Sequence, residues 1–163
     1  MSNKPIYEPC NVFKLFMAML IILVTMSVVK AWYWPVTSYD AVAGYDFMGK
    51  LIADGVNPYT SGYEMTQRGK VPPLVPLGLS VFHLIGMNSQ ILMSVFFVFL
   101  CVLFYRNVNS DRTIAVVGTF VMAVTPEFYA FQSIVNVNTV TAVLVFAGVV
   151  YLFKGVEDGQ ENK

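Results

Sequence analysis

Charged side chains are scarce in this sequence. Only 12% of its 163 residues are Asp, Glu, Lys or Arg, where a soluble domain carries about 25%. With 56% apolar residues and a mean hydropathy of +0.63, a water-soluble domain is excluded and an integral membrane protein is indicated. The ten basic residues are scattered and balanced by ten acidic ones, so no basic patch suited to nucleic acid exists. Cysteine is equally rare. Cys10 precedes the first apolar run and Cys101 lies inside a later one, which places them at different depths and disfavours a disulfide. With His83 as the one histidine, there is no His/Cys cluster of zinc spacing. A phosphate-binding glycine loop, a dinucleotide fingerprint and a nucleophile elbow are also missing.

What the chain does have is apolar runs, at 15–34, 73–87, 91–105, 113–125 and 139–153. The first, "LFMAMLIILVTMSVV", follows Lys4 and Lys14 and continues into Trp32, Tyr33 and Trp34. Aromatic residues there form an interfacial belt, so the run reads as a retained anchor and not as a cleaved signal peptide. A span needs about 20 residues and at least about 17. The second run falls short, because Pro72, Pro73 and Pro76 allow a regular helix only from about Pro76. It reads as a short helix at the interface. The others lengthen to spans of about 15–34, 88–105, 113–131 (through a kink at Pro126) and 134–153.

The expected fold is therefore an all-α polytopic membrane protein with four transmembrane helices and a long first external loop, 35–87. That loop carries two interfacial amphipathic helices, at about 38–54 and 76–87. With four spans and both termini cytoplasmic, Lys4, Lys14, Arg106, Arg112, Lys154 and Lys163 fall inside, in short tails and loops. The raw count of positive charge prefers a five-span arrangement with the N-terminus outside, eight inside and two outside, but only by putting the acidic loop in the cytoplasm and forcing the Pro76 segment to span.

The loop carries most of the polar chemistry. In "TSYDAVAGYDFMGKLIADG", Thr37 and Asp40 have the spacing of a helix start. Gly55 followed by Asn57-Pro58 is a helix stop. Asp46, Lys50 and Asp54 recur every four residues as a solvated face, opposite an apolar stripe of Ala41, Val42, Tyr45, Met48 and Ile52. Asp40 belongs to neither stripe; it is a cap or a functional carboxylate. In "QRGKVPPLVPLG", Arg68 and Lys70 stand before the rigid Pro72-Pro73 pair, placed to meet lipid headgroups or the phosphate of a lipid substrate. In "TPEFYAFQSIVNVNTV", Asn136 and Asn138 are interface residues first and pocket residues second. His83 reads as a packed or interfacial histidine.

The order of these features resembles the N-terminal part of the GT-C membrane glycosyltransferases, the class that includes the protein O-mannosyltransferases and the aminoarabinose transferases of lipid A. The matching features are a span, Asp40 shortly after it, an amphipathic helix ending "ADGVNPY", then "GKVPPLVPLGLSVFHLIG", two further spans, and an outer loop with "TPEF" and "SIVNVNT". The resemblance implies that Asp40 is the catalytic loop aspartate, that Lys70 matches the basic residue before the prolines, and that Asn138 falls near a second acidic position. Departures are Ala41 where many members carry Glu, Val71 between Lys70 and the prolines, and a non-acidic Asn138. The family core continues beyond a fourth span, so a second membrane chain is expected to supply further helices.

The implied reaction moves a sugar from a polyprenyl phosphate donor at the extracytoplasmic face of the plasma (inner) membrane. Phosphate leaves as a stable anion, so one carboxylate suffices, taking the acceptor's proton or holding a divalent cation. That role falls to Asp40, with Arg68, Lys70, Tyr45 and Asn138 as substrate-binding candidates. The competing expectation is a non-catalytic small membrane protein, a lipid-linked-sugar translocation helper or an assembly subunit, in which Asp40 only caps a helix.

Overall fold

The computed structural model describes residues 9–36, 41–60, 72–108, 110–131 and 134–161. Within them the chain is all-helical: α1 (Pro9–Tyr33), a π-helical turn (Ala41–Tyr45) running into α2 (Asp46–Ala53), α3 (Leu74–Leu84), α4 (Ile91–Asn107), α5 (Arg112–Val124), α6 (Pro126–Phe131) and α7 (Val137–Glu161). Two helical stretches, Asn11–Tyr33 and Val137–Lys154, are long and apolar enough to cross a membrane; α4 and α5 are shorter apolar helices.

Local chemistry accounts for the boundaries. Pro9 opens α1 at a position where its missing N–H costs nothing. The helix ends just before Trp34-Pro35, because a residue preceding proline is driven out of the helical region. α3 begins at Leu74, two residues ahead of the expected Pro76 start. Pro76 is its third residue, where no intrahelical donor is needed, and the Leu77 N–H closes the first turn on the Pro73 carbonyl at 3.0 Å.

The kink expected at Pro126 is a break between two helices, α5 and α6. Thr125, the residue before Pro126, is extended at ψ 131°. α5 starts on Asp111, whose carboxylate accepts from the N–H groups of Thr113 and Ile114. α7 starts on Asn136, whose Oδ1 accepts from the Asn138 and Thr139 N–H groups at 2.8 and 3.2 Å.

Both loop helices stop in the same way. After α2, Gly55 takes φ +77°, its N–H bonds to the Ile52 carbonyl, and the Val56 N–H reaches Leu51 at 2.8 Å. After α3, Gly86 takes φ +69°, its N–H bonds to His83, and the Met87 N–H reaches Phe82 at 2.9 Å. This double reverse bond requires a left-handed residue, which glycine adopts without a Cβ penalty.

α4 is the central helix, packed on α1, α5 and α7, while α1 also packs on α5. Aromatic pairs hold two of these contacts: Phe16 and Phe120 edge-on at 5.3 Å, Phe104 and Phe146 stacked at 5.5 Å. Between α1 and α4 the buried Ser27 and Ser94 hydroxyls lie 3.1 Å apart, and Ser94 Oγ also donates to the Ser27 carbonyl. Interhelical bonds of this kind contribute about 0.6–2 kcal/mol in an apolar bundle. One core cluster (Leu20, Phe97, Cys101, Val116, Ala123) fills the bundle. A second (Ala41, Val75, Leu79, Met93, Val135, Val140) fills the end where the loop helices dock.

Candidate functional site at the loop end of the bundle

α2 and α3 pack on each other, and the contact is close because Gly49 faces Pro76 and Leu79. The buried side of the α2 region is Ala41, Gly44, Met48, Gly49 and Leu51, whereas Val42 is exposed. The expected stripe of Ala41, Val42, Tyr45, Met48 and Ile52 is thus rotated. A π-helical turn inserts extra chain before α2 and shifts the phase of the face, and the glycine contact then selects the side that meets α3.

That rotation changes the role of Asp46. It is not part of a solvated face: its side chain is 19% exposed and that of His83 22%. His83 Nε2 donates to Asp46 Oδ1 at 2.9 Å, and the Ser89 hydroxyl donates to the same oxygen. One carboxylate oxygen therefore ties α2 to α3 and to the turn that leads into α4. Lys50 and Asp54, the other members of the expected face, are exposed.

A second set of bonds joins this platform to α1. The Trp34 carbonyl accepts from Asn88 Nδ2 at 2.8 Å and from Gln90 Nε2 at 2.7 Å. These two donors satisfy a carbonyl left without a helical partner where α1 ends. Beneath the clasp is a small cavity of about 80 Å³, lined by Lys30, Trp34, Ala41, Gln90 and Val135 among others. A larger apolar groove of about 430 Å³ runs along α1, also lined by Lys30, with Tyr129 of α6 on its wall.

Asp40, Arg68 and Lys70 lie outside the described residues. Ala41, next to Asp40 in sequence, is fully buried and lines the small cavity. Tyr45 packs against the loop-end core cluster. Asn138 is exposed in the first turn of α7, with its N–H taken by Asn136. Asn136 thus caps α7, and Asn138 is one of the residues it caps. Burial pushes the Tyr59 phenol above its ordinary range, beside Ile52, Pro58 and Pro73.

Among the described residues no three His, Cys, Asp or Glu side chains group as metal ligands. The Asp46–His83–Ser89 cluster joins positions 37 and 43 residues apart, and no sequence periodicity reports such a pairing. The available signal was weaker: a lone histidine on a short apolar helix needs a partner, and a half-buried carboxylate nearby is the natural one. Comparison with family models, curated proteins and solved structures gives no match.

Proposed function

We propose that this chain is a GT-C-like glycosyltransferase module of the plasma (inner) membrane, with four spans and both termini cytoplasmic, acting at the extracytoplasmic face. The observation that carries the reading is the form of the loop platform. α3 has 11 residues and, at 1.5 Å per residue, is about 17 Å long, too short to span a core of about 30 Å. One face (Val75, Pro76, Leu79, Ser80) is buried. The other presents Leu74, Leu77, Val81 and Leu84 to the outside. A short helix docked on one side and apolar on the other is suited to lying at a membrane surface. This is the juxtamembrane arrangement that the resemblance calls for.

In this reading the acceptor hydroxyl attacks the anomeric carbon of a polyprenyl-phosphate sugar, and the phosphate departs with the bonding electrons. Asp40 takes the hydroxyl proton, and Arg68 and Lys70 stabilise the phosphate. Further helices come from a second membrane chain, seated on the exposed apolar residues of α7.

The test is transfer activity of the complex purified from native membranes, assayed with a labelled polyprenyl-phosphate sugar. Asp40→Asn should insert normally and lose transfer, since Asn caps a helix as well as Asp does but takes up no proton. Asp54→Asn, an exposed position, is the control; Asp46 is unsuitable because its carboxylate joins three segments. Full transfer by Asp40→Asn would remove the catalytic assignment and leave the non-catalytic subunit as the better reading.

A further inference from the structure

Lys30 lines two spaces. It sits on α1 in the row Met26–Lys30–Trp34, and the Trp34 N–H continues the helix onto the Lys30 carbonyl at 2.9 Å. The first space is the groove formed by Met26, Val29, Tyr33, Trp34 and Tyr129. Positions 25 to 34 on a helix span roughly 14 Å, long enough for the upper part of an acyl chain. Met26, Val29, Tyr33, Trp34 and Tyr129 are all exposed, so the groove opens sideways, where lipid is, and not into the protein.

The second space is the cavity of about 80 Å³, room for a group of roughly two or three water volumes. Gln90 lines it and spends its Nε2 on the Trp34 carbonyl, so the acceptor this side chain has to offer a ligand is Oε1. No carboxylate lies within 4.0 Å of the Lys30 ammonium among the described residues. Glu127 is two positions before Tyr129 on α6, roughly 200° round the helix from the groove.

The geometry points to a seat for one anionic bilayer phospholipid, with its acyl chain in the groove, its phosphodiester on Lys30, and a hydroxylated headgroup in the small cavity donating to Gln90 Oε1. The charges match, one ammonium to one phosphodiester. A groove open to the bilayer is filled by mass action from the abundant lipid around it. The aromatic side chains at the same level set Lys30 at headgroup depth. This seat is independent of the transfer reaction proposed above.

The chain supplies its own probe. It has two tryptophans, of which Trp34 lines the groove. In the full chain with Trp32→Phe, reconstituted in phosphatidylcholine vesicles, phosphatidylglycerol with brominated acyl chains should quench Trp34 as if enriched roughly fivefold over its mole fraction, the effect of one basic residue at a membrane surface. Lys30→Gln should return quenching to the mole fraction, and Lys30→Arg should keep the enrichment. The reciprocal variant, Trp34→Phe, should show no enrichment at Trp32. Unchanged enrichment in Lys30→Gln overturns the proposal. So does equal enrichment at both tryptophans, or equal quenching by brominated phosphatidylcholine, either of which reports only general bilayer contact. Relief of quenching by one equivalent of unbrominated polyprenyl phosphate also overturns it, because the seat would then belong to that lipid.

Discussion

A Cβ added to Gly49 would stand 2.8 Å from Leu79 Cβ, 3.2 Å from the Pro76 carbonyl oxygen and 3.4 Å from the Ser80 nitrogen. All three neighbours are backbone or Cβ atoms, so no flexible side-chain end can swing away. An ordinary carbon–carbon contact is about 3.5–4.0 Å, and Gly49→Ala must therefore separate α2 from α3 by roughly 0.7 Å. Overpacking of this kind costs about 1–3 kcal/mol. Against it, alanine in a helix interior gains about 0.5–1 kcal/mol over glycine. The net expectation is a loss of up to about 2.5 kcal/mol in α2 docking, read as up to roughly 60-fold faster hydrogen exchange at the Lys50–Ala53 amides. Gly44→Ala is the internal control: nothing lies within 4 Å of its added Cβ, so only the helix gain operates and exchange should stay constant or slow. If Gly49→Ala slows exchange as Gly44→Ala does, the close approach of α2 to α3 is wrong.

The Asp46–His83 bond predicts coupled losses. In a double-mutant cycle of Asp46→Ala and His83→Ala, unfolding in detergent should show a coupling of about 1–2 kcal/mol, as for a partly exposed hydrogen bond to a charged group; additivity within about 0.5 kcal/mol would mean that the two side chains do not interact. The proposed four-span topology predicts that single cysteines at Ser2, Thr60 and Asn162, in a Cys10→Ala, Cys101→Ala background, label from outside only at Thr60. Labelling at Asn162 without Ser2 would require an odd number of spans.

The parts of the fold legible in the sequence are those governed by neighbouring residues. Gly55 marks the end of α2 because a left-handed residue must follow a helix closed by a double reverse bond. The Pro76 segment is short because prolines confine its start, although proline's tolerance of the whole first turn let the helix begin at Leu74. Pro126 was legible as a disturbance. Its full effect depends on Thr125, which goes extended and divides the segment into α5 and α6.

The orientation of a helix face was not legible, and it decides the chemistry of the loop end. Spacing by four puts Asp46, Lys50 and Asp54 on one side of α2, but it leaves open which way that side points. Two features settle the matter: a π-helical turn at Ala41–Tyr45, which shifts the phase, and Gly49, whose missing side chain lets α3 approach this closely. Together they turn Asp46 inward to His83 and Ser89 while Lys50 stays exposed. A regular charge repeat in an apolar chain thus divides into unequal members. The carboxylate at the packed end of the repeat becomes a tie between segments, and its neighbours at the free end remain solvated. An exposed acid such as Asp54 is therefore the proper reference for any role assigned to Asp40, since loss of Asp46 would loosen the whole platform and imitate the loss of a catalytic group.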